Sequence, residues 1–212
     1  MRPATRIFLS GSFQNDVPTL GCILMASGEG RRFGGNKLLA PFLGQPLIAR
    51  TLSATDTGLF SRRTVVTRHS EIADICREAG IEVILHDRPD RNDTVWIGLE
   101  SFGDSLPDGC MFCPCDQPLL SKKTVESLAR AFLERPDCIC RLSWQNTPGS
   151  PIIFPKAYFA ALKALPQGKG GSYVIQSAGL RVRCVEAASA WELKDVDTVE
   201  DLKLLESKCT AP

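Results

Sequence analysis

Short apolar runs alternate with segments of helical periodicity from about residue 20 to the end of the chain. Each apolar run has the length of a buried strand. The pattern predicts strands at residues 21–26, 64–67, 81–85, 110–113, 138–142, 151–154 and 181–185. It predicts helices at residues 47–57, 70–79, 94–102, 121–134 and 156–165, and a last helix that begins at Thr198. Strands and helices that alternate in this way are typical of a mostly parallel sheet covered by helices on both faces.

Local signals mark the ends of some of these helices. Ser70 has the side chain of an N-cap for the second helix, and Gly80 is placed to close it. Thr198 and Asp201 form the Thr-x-x-Asp pattern of a capping box at the start of the last helix. No repeat, low-complexity tract or linker breaks the pattern, so we expect a single domain over residues 20–212, preceded by a loose extension at residues 1–19.

The composition fits a globular protein of this size. The chain has 212 residues, of which 43% are hydrophobic and 23% charged, enough for one α/β domain with a substantial core. Lys and Arg number 25 against 24 Asp and Glu, so there is no basic surplus to attract nucleic acid or a membrane surface. No apolar run approaches the ~20 residues of a membrane helix, and residues 1–20 lack the apolar stretch of a secretory signal. We expect a cytoplasmic protein without a nucleic-acid or membrane partner.

The nine cysteines do not form a recognisable metal or disulfide pattern. Cys110, Cys113 and Cys115 lack the second Cys or His pair of a structural zinc site. Cys113 and Cys115 alternate along the chain, as do Cys138 and Cys140, which is typical of small buried side chains in a sheet. We expect buried free thiols, with a metal- or redox-sensing cysteine protein as the alternative.

The first candidate site follows the first predicted strand, because ligands of open parallel sheets bind beyond the carboxyl ends of the strands. Residues 28–37 are Gly-Glu-Gly-Arg-Arg-Phe-Gly-Gly-Asn-Lys. The glycines let backbone N–H groups approach an anion, and Arg31, Arg32 and Lys37 are cationic donors for phosphate oxygens. The spacing is neither that of the Rossmann fingerprint nor that of a Walker loop. We predict a phosphate-binding loop; the alternative is a flexible connector with a solvated basic patch.

Carboxylates in two further segments are candidate metal ligands. Asp116 follows the fourth predicted strand, where it could hold Mg²⁺, a hard ion that shares oxygen ligands with substrate phosphates; a turn-forming aspartate is the equal alternative. Asp195 and Asp197 are two residues apart, so an extended backbone would point both to the same side. Paired carboxylates repel each other unless a cation lies near, and we take Asp197 as the second candidate ligand. A solvated acidic start of the last helix is the alternative.

Three of these segments resemble the MobA-like nucleotidyltransferases. Residues 25–37, Met-Ala-Ser-Gly-x-Gly-x-Arg-Phe-Gly-x-x-Lys, are similar to the opening signature of the family. Residues 116–118, Asp-Gln-Pro, resemble the metal-binding Gly-Asp-Gln-Pro of the molybdenum cofactor cytidylyltransferases, and residues 195–202 resemble a closing Asp-Ile-Asp-Thr-Pro-Glu-Asp-Leu. The resemblance covers about residues 20–205 and implies an α/β, three-layer, GT-A-like (Rossmann-like) fold around a mostly parallel central sheet.

The resemblance also implies roles for individual residues. Arg32, Lys37 and Asp116 would be catalytic, and Asp116 and Asp197 would hold Mg²⁺. The nucleotide-binding residues would be Met25, Ala26, Ser27, Gly28, Glu29, Gly30, Arg31, Arg32, Lys37, Asp93 and Thr94.

A second resemblance concerns the base. Residues 91–99, Arg-Asn-Asp-Thr-Val-x-x-Gly-Leu, are similar to a stretch of the methylerythritol-phosphate cytidylyltransferases that lies beside cytosine. This likeness favours CTP over GTP as the nucleotide donor. Asp93 and Thr94 are equally well explained as caps of the third helix.

The acceptor is implied by two later segments. Gly149, Ser150, Pro151 and Lys169 correspond to regions that meet the acceptor in the cytidylyltransferases, although Ser150 and Lys169 stand where that family usually has His and Asp. A basic Lys169 suits a phosphorylated acceptor. His69 and His86 stand alone without a nucleophile-base pattern, so we expect structural or surface roles for both histidines.

Taken together, the resemblance implies Mg²⁺-dependent transfer of CMP from CTP onto a phosphorylated acceptor, molybdopterin or the molybdenum cofactor, with release of pyrophosphate. One alternative is a methylerythritol-phosphate or sugar-phosphate nucleotidyltransferase. Another is a non-catalytic protein that binds a nucleotide or cofactor and delivers it to a molybdoenzyme.

Overall fold

The computed structural model describes residues 17–178 and 182–210. Its strands are β1 (Leu20–Ala26), β2 (Pro41–Phe42), β3 (Gln45–Pro46), β4 (Arg62–Thr67), β5 (Glu82–Leu85), β6 (Gly109–Pro114), β7 (Ile139–Trp144), β8 (Thr147–Pro155) and β9 (Val182–Glu186). Its α-helices are α1 (Ile48–Ala54), α2 (Ser70–Glu78), α3 (Arg91–Glu100), α4 (Lys122–Glu134), α5 (Phe159–Lys163), α6 (Gly171–Ala178) and α7 (Val199–Thr210). Short 3-10 helices lie at Lys37–Leu39, Lys156–Tyr158 and Ala190–Leu193.

The strands form a seven-stranded sheet in the order β5-β4-β1-β6-β8-β7-β9, with β2 and β3 as a separate hairpin. Neighbouring strands are parallel except that β8 is antiparallel to both β6 and β7. The carboxyl ends of β5, β4, β1 and β6 therefore meet at one edge of the sheet. Because β8 runs the other way, its first residues reach the same edge.

Helices cover both faces of the sheet. Cys22 and Leu24 on β1 pack in one buried cluster with side chains from α1, α2, α4 and α7. Ile23, between them, packs in a second cluster with side chains from α3, α5 and α6. Successive residues of a strand point to opposite faces, so β1 contributes to both clusters and is covered on each side. The predicted three-layer fold with a mostly parallel sheet is confirmed.

Several predicted helix ends are confirmed by the hydrogen bonds that define them. Ser121 caps α4, because its Oγ accepts a bond of 3.2 Å from the Thr124 N–H. At the start of α7 the Asp201 N–H donates to Thr198 Oγ1 at 3.1 Å and the Thr198 N–H donates to Asp201 Oδ2 at 3.0 Å, which is a capping box. Gly80 closes α2 with a φ of 72°, a conformation that favours glycine.

Two helix starts differ from the prediction. The N-cap of α2 is His69, and Ser70 is the first helical residue, with its hydroxyl bonded to Glu71. Helix α3 begins at Arg91, three residues before the predicted start, because Asp90 and Asp93 form its capping box. The first turn is polar and shows no apolar periodicity, so the sequence pattern did not reveal it. Asp93 lies in this turn as the second member of the capping box, and the N-cap is Asp90.

The predicted strands at residues 138–142 and 151–154 are two arms of one hairpin. They are β7 and β8, longer than predicted and joined by residues 145 and 146 with φ of 47° and 67°. A two-residue hairpin turn needs positive φ at both central positions, and here Gln145 and Asn146 occupy them without a glycine. The turn therefore carries a weak sequence signal.

The cysteines are mostly buried, as expected. Cys184 and Cys209 are exposed, and the other seven are buried free thiols. Burial raises the pKa of Cys76 and of Cys140 to about 11. Thiols with such pKa values are weakly nucleophilic near neutral pH.

Parts of the predictions fall at the edges of the described chain. Of the predicted extension at residues 1–19, residues 1–16 lie outside the described residues, while Thr19 donates from its N–H and its hydroxyl to Asp108 Oδ2 at 2.8 and 2.9 Å. The predicted strand at 181–185 is β9, and residue 181 is outside the described range. None of the helices in the described ranges has the length and apolar character needed to cross a membrane. The cytoplasmic location stays a prediction.

Candidate active site

A cavity of about 470 Å³ opens at the edge of the sheet where β1, β4, β5 and β6 end. We call it the charged cavity, because Arg31, Arg32, Lys37 and five carboxylate residues are among its lining. The predicted site residues that line it are Met25, Ser27, Gly28, Glu29, Gly30, Arg31, Arg32, Lys37, Thr94, Asp116 and Asp197. Of the other two predicted nucleotide-binding residues, Ala26 is buried in β1, and Asp93 is engaged in the capping box of α3.

The loop after β1 is a tight turn that depends on one glycine. Gly30 has a φ of 60°, and a Cβ atom on it would lie 2.0 Å from the carbonyl oxygen of Gly35. The Gly30 carbonyl accepts hydrogen bonds from the N–H groups of Phe33 and Gly34 at 2.9 and 3.1 Å. A side chain at position 30 would push the two sides of the loop apart, so glycine is required here.

Two side chains that directly follow β4 hold this loop in place. Arg68 donates to Glu29 Oε1 at 2.9 Å and to the Pro89 carbonyl at 3.2 Å, which ties the glycine-rich loop to the segment after β5. His69 Nε2 lies 3.1 Å from the Gly28 carbonyl oxygen. Hydrogen bonds from Arg31 and Arg68 lower the pKa of Glu29. Sequence reasoning did not find Arg68; its position directly after a strand was the only available signal.

Two cations and two carboxylates meet at the opposite side of the charged cavity. Lys37 Nζ donates to Asp116 Oδ2 at 2.7 Å, to the Val196 carbonyl at 2.6 Å and to Asp197 Oδ1 at 3.3 Å. Arg32 Nη2 donates to Asp197 Oδ2 at 2.9 Å. Only 11% of the Lys37 side chain is exposed. Desolvation, the largest single influence, lowers the Lys37 pKa, but the charge and hydrogen bonds of Asp116 and Asp197 outweigh it, so the pKa is raised.

Asp195 adds a third carboxylate to this group. The extended segment that carries Asp195 and Asp197 is not part of a strand, yet both residues line the charged cavity. Gln117, itself buried, donates from Nε2 to Asp195 Oδ1 at 2.9 Å. Desolvation and then the nearby charge of Asp116 raise the Asp195 pKa. The carboxylates of Asp116, Asp195 and Asp197 are therefore close enough for their negative charges to repel one another.

The residues present fit a hard cation that is shared with a ligand. Asp116 Oδ1 is buried and has no hydrogen-bond partner in the described part of the chain. Carboxylate oxygens are the ligands that Mg²⁺ prefers, and Mg²⁺ usually takes only one or two of them together with phosphate oxygens and water. No group of three or more His, Cys, Asp or Glu side chains within residues 17–178 and 182–210 is arranged to hold a metal alone. A metal here would complete its coordination with water or with the oxygens of a bound phosphate.

A smaller cavity of about 260 Å³ adjoins the charged one, and Met25 and Pro114 line both. We call it the apolar cavity, because its lining includes Val95, Phe112, Ile152, Phe154 and Leu162. Ser150 and Lys169, two of the predicted acceptor residues, also line it. The other two do not: the Gly149 carbonyl accepts a bond of 2.9 Å from Arg141, and Pro151 is buried in β8.

The rim of the apolar cavity is attached to the start of α3. Gln167 donates from Nε2 to both carboxylate oxygens of Asp90 at 3.0 and 3.1 Å, and Asn92 donates to the Leu165 carbonyl at 3.2 Å. Asp90 lines the charged cavity, and Lys169 lies two residues beyond Gln167. The two cavities thus share part of their walls and are linked by hydrogen bonds.

Comparisons with known proteins show the family and the fold of the chain. The family model described as the MobA-like NTP transferase domain matches residues 22–183. The purine catabolism protein PucB of Bacillus subtilis is 25% identical over 200 residues, which cover 89% of this chain and 96% of PucB. A probable molybdenum cofactor guanylyltransferase of Pyrococcus furiosus is 27% identical over 204 residues, with the same coverage of 89% and 96%. A CMP:2-keto-3-deoxy-manno-octonic acid synthetase, solved with CTP, has the same fold, with a TM-score of 0.74 at 14% identity over 91% of this chain and 98% of its own.

Proposed function

Because the chain belongs to the MobA-like NTP transferase family, we propose that it transfers CMP from CTP to a phosphorylated acceptor and releases pyrophosphate. The observation that carries the proposal is the meeting of Arg32, Lys37, Asp116 and Asp197 on one side of the charged cavity. Two cations and two carboxylates in one place suit a triphosphate and its counter-ion.

The reaction is an in-line attack of an acceptor phosphate oxygen on the α-phosphorus of the nucleotide, with pyrophosphate as the leaving group. No covalent bond to the protein is needed, so the residues act by positioning the two reactants and by neutralising charge. Arg32 and Lys37 donate to phosphate oxygens and stabilise the leaving pyrophosphate. Asp116 and Asp197 would hold Mg²⁺, which supplies further positive charge to the phosphates.

The choice of CTP rests on the part of the charged cavity near β4 and β5. Ser27, Asp90 and Thr94 line this part and bring hydroxyl and carboxylate groups to the place left for the base. The likeness of residues 91–99 to a cytosine-binding stretch supports CTP. The relatives include a guanylyltransferase, so GTP is the competing donor and belongs in the test.

The choice of acceptor rests on the apolar cavity. Phe112 and Phe154 form an edge-to-face pair in its wall, with ring centroids 6.1 Å apart, and can pack against a flat ring system. Lys169 at the same cavity can pair with a phosphate. A molybdopterin-type pterin phosphate has both a flat ring and a phosphate, and we propose it as the acceptor.

The test is thermal unfolding with CTP, GTP, ATP or UTP, each with and without Mg²⁺, followed by assay of pyrophosphate release when molybdopterin is added. A ligand at 100 times its dissociation constant stabilises by about 2.7 kcal/mol, which is easily measured. We expect CTP with Mg²⁺ to give the largest shift and molybdopterin to trigger pyrophosphate release. A shift in melting temperature with GTP alone would mean that GTP, and not CTP, is the nucleotide donor. If no nucleotide stabilises the protein, the proposed function is wrong and a non-catalytic role in molybdoenzyme maturation takes its place.

A further inference from the structure

The hydroxyl of Ser27 lies where β1, β4 and β5 end, in the charged cavity but away from the metal-binding carboxylates. Ser27 Oγ is 3.2 Å from the Val66 carbonyl oxygen and 2.9 Å from His86 Nε2. Val66 is on β4 and His86 follows β5, whereas Asp116 follows β6 on the other side of β1. With the triphosphate beside Lys37 and Asp116, Ser27 is on the side left for the base.

The surroundings of His86 decide which of the two groups donates. His86 Nδ1 is buried and has no hydrogen-bond partner among the described residues. A buried N–H without an acceptor is costly and rare, whereas an unprotonated ring nitrogen without a donor costs less free energy. The proton of neutral His86 therefore sits on Nε2. Burial, followed by the charge of Arg68, lowers the His86 pKa, which keeps the ring neutral near pH 7.

This assignment fixes the polarity of the Ser27 hydroxyl. His86 Nε2–H donates to Oγ, and the hydroxyl proton goes to the Val66 carbonyl. A free serine hydroxyl can either donate or accept, but this one keeps only a lone pair. For the Ser27 hydroxyl to donate to a base, it would have to give up its hydrogen bond to the Val66 carbonyl.

We infer that the Ser27–His86 pair presents a hydrogen-bond acceptor to the nucleotide base and so selects a base with an exocyclic amino group, cytosine over uracil. The inference rests on the proposed nucleotide transfer and names what selects its donor. Cytosine has an amino group where uracil has a carbonyl oxygen, so uracil would place two acceptors against each other. His86 is a positioning residue: it acts on the base only through Ser27.

The experiment measures dissociation constants for CTP and UTP, each with Mg²⁺, by calorimetry on the full-length protein. The two nucleotides differ only at C4 and N3 of the base, so their ratio reports on that edge of the base, and its loss in Ser27→Ala assigns the preference to the Ser27 acceptor. We expect the wild type to prefer CTP about tenfold, the value of one well-made hydrogen bond. Ser27→Ala and His86→Leu should each bring the ratio close to one, mainly by weakening CTP.

A double-mutant cycle and a matched control separate positioning from a general structural effect. If His86 acts through Ser27, the double variant Ser27→Ala/His86→Leu has the same ratio as either single variant. His69→Leu is the control, because His69 contacts the same loop through the Gly28 backbone and not through Ser27. We expect this control to change both affinities alike and to leave the ratio as in the wild type.

The outcomes that overturn the inference are distinct from those that overturn the proposed function. A wild type that binds CTP and UTP equally, a Ser27→Ala variant that keeps the wild-type ratio, or a His86→Leu variant that weakens both nucleotides alike each refutes the pair as a selector. If His86→Leu fails to fold, Ser27→Ala alone still decides. A wild type that binds neither nucleotide nor any other triphosphate refutes the proposed function instead.

Discussion

The charged cavity and the apolar cavity share a wall but differ in how their polar groups are satisfied. In the charged cavity the cations are already paired with carboxylates: Lys37 with Asp116 and Asp197, and Arg32 with Asp197. In the apolar cavity Lys169 stands near mostly hydrocarbon side chains, and its Nζ lies 6.0 Å from the ring centroid of Tyr173. A ligand of the first cavity must exchange existing ion pairs, whereas a ligand of the second mainly covers apolar surface.

The difference indicates how each half of the proposed reaction would be controlled. Exchange of one ion pair for another gives little net affinity. It requires a ligand that offers both an anion for the cations and a cation for the carboxylates, as a triphosphate with its metal does. Burial of apolar surface is less selective, and a single cation then sets the orientation of the acceptor. Substitutions in the two cavities should therefore have effects of different kind and size.

The largest effect is expected from Asp116→Asn. The amide oxygen carries no negative charge and is a much weaker ligand for Mg²⁺ than a carboxylate, so the turnover number should fall about a hundred- to thousandfold. Asn keeps the shape of Asp116 and its amide oxygen can still accept from Lys37, so the fold should be retained, while the melting temperature should fall because a charged hydrogen bond becomes a weaker one. Steady-state kinetics and circular dichroism check both parts. Asp74→Asn, an exposed carboxylate on α2 paired with Arg77, is the matched control and should behave as wild type. Near-normal turnover of Asp116→Asn would contradict the assignment of this residue.

The next effect concerns Lys37, which occupies the position between the carboxylates. Lys37→Met removes the ammonium group and leaves Asp116, Asp195 and Asp197 close together without it. Without ligand we expect the free energy of unfolding to fall by about 1–3 kcal/mol, because charged hydrogen bonds are lost.

The same variant should bind divalent metal more tightly in the absence of nucleotide, by about tenfold, because the competing charge is gone. Calorimetry with Mn²⁺ on the variant and the wild type measures this. Turnover should nevertheless be slower, since Lys37 no longer contacts the phosphates. An unchanged metal affinity would show that the ammonium and the metal do not compete for these carboxylates.

A smaller and more selective effect is expected in the apolar cavity. Lys169→Ala removes its cation, so the KM for molybdopterin should rise about five- to tenfold, the value of one charge-assisted hydrogen bond. The KM for CTP should stay within about twofold if the cavities serve different substrates. Lys203→Ala, an exposed lysine on α7, is the control. A rise in the KM for CTP alone would show that Lys169 serves the nucleotide and not the acceptor.

The smallest effect is expected from Asp195 and concerns how its ionisation changes the stability of the fold. The pKa of Asp195 is raised in the folded protein, so the folded state holds the proton more tightly than the unfolded chain does. Stability from this residue is therefore present below the ordinary aspartate pKa of about 3.9 and is lost as pH rises through the raised value.

Asp195→Asn cannot ionise, and its amide oxygen can still accept from Gln117. The variant should be more stable than wild type at pH 7 by a few tenths of a kcal/mol, with a smaller difference near pH 4. Urea unfolding at the two pH values measures it. A variant less stable than wild type at pH 7 would mean that ionised Asp195 stabilises the fold and that its pKa is lowered instead of raised.

Local signals in the sequence predicted the fold well. Thr198 marks a helix start because a capping box involves residues only three positions apart, and this box is present, whereas the cap predicted at Ser70 falls on His69 instead. The central strands β1 and β6 were predicted because burial on both faces gives continuous apolar runs. The start of α3 was missed because its first turn is polar, and the turn between β7 and β8 because Gln145 and Asn146 adopt positive φ without glycine.

The candidate site was predictable in its motifs but not in its supports. The loop after β1 and Asp116 stand at strand ends, where the parallel sheet brings them together. The contact of Arg68 with Glu29 joins residues 39 positions apart, and that of His86 with Ser27 joins residues 59 apart. Such contacts depend on the order of β1, β4 and β5 in the sheet, which no local pattern specifies. Sequence reasoning therefore treated His86 as a structural or surface residue.

The reversed direction of β8 divides the site between two stretches of chain. Residues 25–116, together with Asp195 and Asp197, line the charged cavity, whereas β8 and the segment up to Ser172 contribute most of the apolar one. Because β8 enters the sheet from the shared edge, the exposed turn at Gln145 and Asn146 that joins it to β7 can change in length without moving the ends of the parallel strands. The molecule is in this sense modular. Grafting residues 147–172 from a relative would exchange one substrate half and keep the other.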